Sequence, residues 1–391
     1  MLKYLEGSHA VSQVVAMCRP QVISAYPITP QTHIVEDLAR LVGEGKLEAE
    51  FINVESEFSA ASVILGASAA GARAYTTTTS QGLLLMTEVL YCIAGMRLPI
   101  VLTCANRAIS APLNIWNDQQ DSMTVRDAGW IQLYAEDNQE AADLHVQAFK
   151  IAEATSLPMM VCMDGFILTH AFEPVDIPEQ KEVDAFLPSF KPQHIIDPRW
   201  PRALGLYADP RFYMETRYIL HRALEKSEEV IKQVSADFAQ AFGRNSGGLI
   251  KTYKLEDADV VIVTMGSVAG TIKDLIDRLE TAGKHVGLLQ ICSFRPFPKQ
   301  EVYRALKNKM NIVVLEKAVS LGRGGILASD IRWSFPRAEQ PGRRISSYIA
   351  GLGGRNISTD GLMEMVNRVS KEHVELAFLG LNKEIIAERD L

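Results

Sequence analysis

Aromatic residues are scarce in this sequence: Phe, Trp and Tyr together make up 7% of its 391 residues. With 47% hydrophobic residues, its cores must be large and built from Ala, Val, Ile and Leu. An excess of basic charge is also lacking. A net charge of −7 argues against nucleic acid or an acidic membrane surface as partner. The five cysteines (Cys18, Cys92, Cys104, Cys162 and Cys292) contain no CxxC pair. They read as reduced core residues, and no iron–sulfur cluster or zinc site is expected on this chain. The eight histidines show no pair at ligand spacing, so no metal site is expected from them. No apolar run reaches the ~18 residues of a membrane span. The N-terminal MLKYLEGSHAV lacks a signal-peptide core, and a cytoplasmic location is expected. Nor is there a GxGxxG fingerprint: GSVAG at 266–270 and LGRGG at 321–325 depart from it and read as turn and helix-start glycines.

What is present is alternation. Strands QVISAY, FINV, AYTTTT, LPIVLTCA, WIQLYA and PMMVCMD are separated by helical patterns over residues 1–171. That order predicts an α/β domain with a mostly parallel sheet. Residues 172–248 break the pattern, with a Pro-rich, charged extended arm followed by a long amphipathic helix. A second, smaller α/β domain is expected over 249–391, with strands VVIVTMG, HVGLLQI, NIVVLEK and RISSYIAG.

In open α/β sheets, ligands bind beyond the carboxyl ends of the strands. Four clusters occupy such positions: Tyr26 to Pro30 (YPITP), Glu55 and Glu57, Thr78 to Gly82, and Asn106 with Arg107. Each has a plain structural reading. YPITP makes a stiff turn, Glu57 suits a helix N-terminus, TTTTSQG reads as a strand with a capped turn, and Arg107 could pin a loop through Asp118 or Asp121. Their co-occurrence points to one shared crevice.

Together they resemble the α-subunit of the 2-oxoacid:ferredoxin oxidoreductases, the pyruvate:ferredoxin oxidoreductase superfamily in its multi-subunit form. The match rests on YPITP, NVESEFSAASVILGASAAGAR, TTTSQGLLLMTEVLYCIAGMRLPIV, NRAISAPLNIWNDQQDS, DGFILTH and the arm DPRFYMETRYILHRA. It implies a pyrimidine-type thiamine diphosphate domain at 1–171 and a transketolase C-terminal-like domain at 249–391.

The resemblance further implies that Glu57 is the carboxylate against the cofactor's aminopyrimidine ring, with Glu55 as the rival by bare chemistry. Tyr26, Pro27 and Ile28 would shape the cofactor pocket with Ser80 and Gln81. Thr29 and Arg107 would face the 2-oxo acid, the guanidinium meeting its carboxylate. A β subunit would bring the diphosphate and Mg²⁺, and γ and δ (ferredoxin-like) subunits would bring [4Fe–4S] clusters. CoA would take the acyl group and ferredoxin the electrons. This sequence has no GDG…N segment for Mg²⁺ and no cluster motif, in keeping with that division. Pyruvate is the expected substrate, with 2-oxoisovalerate, phenylglyoxylate or oxalate as alternatives. Thr76, Thr77 and Trp116 depart somewhat from the pyruvate-type pattern. A non-catalytic assembly subunit and a nicotinamide-dependent dehydrogenase are the competing classes; the first should have lost part of the site, and the second needs the missing fingerprint.

Overall fold

The computed structural model describes residues 2–193, 195–201, 203–336 and 342–387. It divides into two units, Met1–Ile250 with Cys292–Pro298, and Lys251–Ile291 with Lys299–Leu391. The first unit runs β1 (Leu2–Glu6), α1 (Gly7–Met17), β2 (Val22–Ala25), α2 (Thr32–Gly43), β3 (Glu50–Asn53), α3 (Glu57–Ala69) and β4 (Ala74–Thr78). It continues through α4 (Ser80–Leu85), α5 (Thr87–Gly95), β5 (Val101–Asn106), α6 (Gln120–Thr124), β6 (Ile131–Tyr134), α7 (Asn138–Thr155) and β7 (Met159–Asp164). Then come β8 (Phe172–Asp176), α8 (Gln180–Phe186) and α9 (Tyr213–Phe242). The long helix ends at Gly243, whose φ of 72° makes the left-handed cap that glycine takes without cost.

All six strands expected before residue 171 are present. They form one sheet in the order β6-β7-β5-β4-β2-β3, with every pairing parallel. The four inner and late strands β4, β5, β6 and β7 are buried along their whole length. Helices covering both faces of a parallel sheet explain strands buried on both sides. Inside, the Tyr75 hydroxyl and His145 Nε2 both meet Thr103 Oγ1, at 2.6 and 2.5 Å. Burial pushes His145 down to about 4, so it sits neutral in the core.

Three features depart from the sequence reading. β1 pairs antiparallel with β8, register Leu2 to Asp176 and Glu6 to Phe172, so the start of the arm is tied back to the N-terminus. SQG, expected as a turn, is the first turn of α4. The helix expected over LLLMTEVLYCIAGM divides at Met86. There Thr87 Oγ1 donates to the Leu84 carbonyl at 2.6 Å, a back-bond that disturbs the helical ladder.

The second unit carries β9 (Ile250–Tyr253), β10 (Val260–Thr264), α10 (Val268–Thr281) and β11 (Val286–Ile291). β12 (Ser293–Arg295) leaves it to pair antiparallel with β6 at the edge of the first sheet. The chain then returns as α11 (Lys299–Leu306), β13 (Asn311–Glu316), α12 (Ile326–Trp333), β14 (Arg344–Ile349), α13 (Thr359–Val369) and β15 (Ala377–Phe378). The sheet order is β15-β14-β13-β10-β11-β9. One face is packed by α10 and α13 through Ile272, Leu275, Ile276, Leu362 and Val366. Among the described residues, no helix is long and apolar enough to cross a membrane.

Candidate active site

The strands β3, β2, β4 and β5 are neighbours and all point the same way. Their carboxyl ends therefore deliver Glu55 and Glu57, the YPITP loop, Thr78 to Gly82, and Asn106 with Arg107 to one rim of the first unit. Convergence follows from sheet order alone.

Glu57 opens α3, with Ser56 as the cap whose Oγ accepts from Ser59 N at 3.3 Å. The residue is 7% exposed. No hydrogen-bond donor or ion-pair partner meets its carboxylate among the described residues. The turn beside it is packed so closely that a Cβ on Gly82 would lie 2.7 Å from Glu57 Oε1 and 2.5 Å from Thr78 Oγ1. A buried, unpartnered carboxylate is costly unless a ligand supplies the donor. The amide ends of α3 favour its negative charge. Glu55 differs: it is exposed, and its carboxylate is taken by Ser59 Oγ, which holds it below the usual range.

In the neighbouring strand end and turn, two buried polar atoms have no partner among the described residues, Thr78 Oγ1 and Gln81 Nε2. Gln81 is aimed by Ser80, whose Oγ donates to the Gln81 side-chain oxygen and lies 2.5 Å from the Ala108 carbonyl. Ser80 itself sits at φ 48°, a left-handed conformation that costs a non-glycine residue about 1 kcal/mol. Its backbone N–H donates to Asp121 Oδ2 at 2.9 Å, which fixes the turn.

Asp121 is fully buried and ties two of the loops together. Besides Ser80 it accepts from Arg107 N at 3.0 Å, Asn106 Nδ2 at 2.8 Å and Ser122 N at 2.8 Å. Burial raises its carboxyl above the ordinary range, while these four donors pull it back. The sequence allowed Asp121 to pin the Arg107 loop, and it does so through the backbone amide. The Arg107 guanidinium turns elsewhere, Nη1 to the Thr29 carbonyl at 2.8 Å and Nε to the Asn114 carbonyl at 2.9 Å. Burial lowers the arginine from its usual range, with the charge of Asp121 opposing. Two of five N–H donors are thus spent on orientation, and Nη2 remains for a ligand.

In the YPITP loop, Tyr26, Pro27 and Thr29 are exposed, Ile28 is half-buried and Pro30 is buried. The Thr29 hydroxyl has no partner among the described residues. Gln31, unnoticed in the sequence, holds the loop's start by donating from Nε2 to the Tyr26 carbonyl at 2.8 Å. Gly165, after β7, lets Pro30 approach: a Cβ there would meet Pro30 Cγ and the Asn106 carbonyl at 2.6 Å each. Asn106, Asp121, Gln31 and Gly165 are the positioning residues. The sequence pointed to Asn106 as a strand-end residue and to Asp121 as a pin for the Arg107 loop, but gave no role to Gln31 or Gly165.

Two family models match this chain. One, described as pyruvate flavodoxin/ferredoxin oxidoreductase, thiamine diP-bdg, covers residues 13–236; the other, pyruvate:ferredoxin oxidoreductase core domain II, covers 258–362. Among curated relatives, pyruvate synthase subunit PorA of Methanothermobacter thermautotrophicus is 46% identical over 98% of this chain and 99% of its own. Ketoisovalerate oxidoreductase subunit VorA of Pyrococcus abyssi is 41% identical, covering 94% of this chain and 93% of its own. A solved 2-oxoglutarate:ferredoxin oxidoreductase from Magnetococcus marinus shares the fold, with a TM-score of 0.71 at 20% identity. That alignment spans 95% of this chain and 65% of the solved one.

Proposed function

The chain belongs to the pyruvate:ferredoxin oxidoreductase family, and from that premise we propose that it supplies the pyrimidine side of a thiamine diphosphate site. The enzyme is a multi-subunit complex that converts pyruvate and CoA to acetyl-CoA and CO₂, passing two electrons to ferredoxin in the cytoplasm. The observation that carries this reading is Glu57, nearly buried, unpartnered, and pressed against Gly82.

The residues fit the group. An aminopyrimidine ring needs an acceptor for a protonated ring nitrogen and polar groups at its edge. Glu57 offers the acceptor, Gln81 Nε2 a free donor, Thr78 Oγ1 a further polar atom, and Tyr26, Pro27 and Ile28 a rigid wall. When bound, thiamine diphosphate supplies the carbon nucleophile and the electron sink that decarboxylation of a 2-oxo acid requires. Glu57 holds the ring-nitrogen proton at its carboxylate, which sets the tautomer of the ring. Arg107 binds the substrate carboxylate with its uncommitted N–H groups through charge-assisted bonds. The Thr29 hydroxyl, on a loop already fixed by Gln31 and Arg107, orients the oxo group without an ordering cost at each turnover.

The rim is not closed by this chain alone: Tyr26, Phe58, Leu85, Leu113 and Trp116 are 38%, 40%, 51%, 77% and 52% exposed. Partner subunits complete it, a β subunit with the diphosphate and Mg²⁺ and γ and δ subunits with [4Fe–4S] clusters. Pyruvate is chosen over 2-oxoisovalerate because pyruvate synthase subunits reach 50% identity and ketoisovalerate subunits 41%.

The test is anaerobic purification through a tag on this chain, then CoA-dependent viologen reduction with pyruvate and 2-oxoisovalerate. Glu57→Gln should lose about 100-fold or more in kcat with the complex assembled, and Glu55→Gln should not. Full turnover in Glu57→Gln removes Glu57 from the chemistry. A preference for 2-oxoisovalerate overturns the choice of acid alone.

A further inference from the structure

Beside the loops just described, the fold gathers residues that sequence spacing leaves far apart. Glu6 ends β1, His33 lies in the first turn of α2, and His170 follows β7. One ligand atom from each of the three lies within 4.8 Å of the others. Glu6 is 6% exposed, and its ionic partners among the described residues are imidazoles alone. His33 Nδ1 stands 2.6 Å from Glu6 Oε1, and His9 Nε2 stands 3.8 Å from Glu6 Oε2. A buried carboxylate whose ion-pair partners among the described residues are imidazoles is short of positive charge whenever those rings are neutral.

We infer that Glu6, His33 and His170 form a binding site for a first-row divalent cation of the zinc type. Two imidazoles and one carboxylate suit such an ion and leave a position for water. Tetrahedral zinc needs its ligand atoms about 3.3 Å apart, so side-chain rotation alone closes the present separations. Metal binding at His33 Nδ1 uses the unprotonated nitrogen, so any proton carried there leaves to solvent as the cation enters.

The surroundings are built for it. Gly7 N donates to the Ala171 carbonyl at 3.1 Å and Ser8 N to the Thr169 carbonyl at 3.0 Å, clamping Glu6 beside His170 from both flanks. Gly7 leaves no room to slip, because a Cβ there would lie 2.2 Å from the Leu168 carbonyl oxygen. His170 Nδ1 is engaged by Thr169 Oγ1 at 2.8 Å, which leaves Nε2 as the metal-facing nitrogen. The His33 ring is stacked on His9 and tilted by 35° to His170, with ring centroids 6.1 and 4.8 Å apart. His9 is in turn anchored by its Nδ1 to the Asp37 carboxylate. An occupied site clamps α2 and the loop after β7 to the N-terminal strand.

The full-length chain, expressed alone and stripped by chelator dialysis, is equilibrated with Zn²⁺ against a chromophoric zinc chelator. The expected result is about one tightly held Zn²⁺ per chain, weakened ~100-fold or more in the His33→Ala/His170→Ala variant. His373→Ala, altered at an exposed histidine elsewhere, should bind as the parent does. Mg²⁺ should not displace the zinc, since imidazole suits it poorly. Should the double variant misfold by circular dichroism, Co²⁺ loading of the parent decides, through visible ligand-field absorption. No zinc held by the parent, equal binding in the folded double variant, or a colourless cobalt form overturns the inference.

Discussion

Adding one methyl group at Gly82 should slow the enzyme without replacing Glu57, the carboxylate proposed to act on the cofactor. An added Cβ would stand 2.7 Å from Glu57 Oε1 and 2.5 Å from Thr78 Oγ1, whereas ordinary contacts begin at 3.4 Å. The Glu57 carboxylate must then retreat by about 0.7 Å, the difference between 3.4 and 2.7 Å. A displacement near 1 Å at a positioned group costs about 10²-fold, so Gly82→Ala should lower kcat by about 10- to 100-fold. Helix propensity works the other way, since Ala in α4 gains up to about 1 kcal/mol over Gly. A slow yet stable enzyme is therefore the signature. The control is Gly66→Ala in α3, where nothing lies within 4 Å of the new Cβ. The assay is pyruvate-dependent viologen reduction by the tagged complex, with subunit content checked on the same preparation. If Gly82→Ala runs within about twofold of the parent in an intact complex, the position of Glu57 does not limit catalysis and the site reasoning fails.

Arg107→Ala removes a charge-assisted contact worth about 1.5–3 kcal/mol, so KM for the 2-oxo acid should rise about 10- to 100-fold. An equal rise in KM for CoA would take Arg107 out of acid recognition. Asp121→Asn turns two of four N–H donors toward an amide NH₂, which should cost about 3 kcal/mol and several degrees in Tm; an unchanged melting curve would refute the hub. Burial pushes Glu316 up to about 7 although Leu327 N and Ala328 N donate to it. Folded, it binds more protons than the unfolded chain between about pH 4.5 and 7, so stability should fall by about 3 kcal/mol as pH rises through that window. Glu316→Gln should flatten the slope, and an identical pH profile of Tm in parent and variant would refute the shift.

Much of this was legible because it is local. Strand identity rests on short apolar runs, and strand order then brings YPITP, Glu57, SQG and Arg107 to one rim. Glu57 and Glu55 lie two residues apart, and helix geometry separates them: the first residue of α3 turns inward while the residue before the cap stays in water. The unseen parts are those whose partners are remote. β1 has no apolar alternation, and its partner lies beyond the whole parallel sheet in sequence. β12 is three residues long and returns to the first sheet from within the second alternating pattern. Glu6, His33 and His170 meet only after β1 and β8 pair and α2 packs. No spacing rule reaches across such closures.

Asp121 and Glu57 are buried carboxylates at the same rim, and their hydrogen bonds divide scaffold from site. Asp121 accepts four N–H donors from three neighbouring segments, so every lone pair it can use is spent on the protein. Glu57 accepts none among the described residues, although the residue is only 7% exposed. Folding stability alone gives no reason to keep an unpaired carboxylate under cover, because an apolar residue of like shape would remove the desolvation cost. The same contrast holds for Arg107, which commits Nε and Nη1 and withholds Nη2, and for Gln81, whose oxygen is bonded and whose Nε2 is not. In each case one end of the side chain is fixed and the other is left open. That is the pattern of a site awaiting a polar ligand, and a non-catalytic copy freed from the reaction has no reason to retain it.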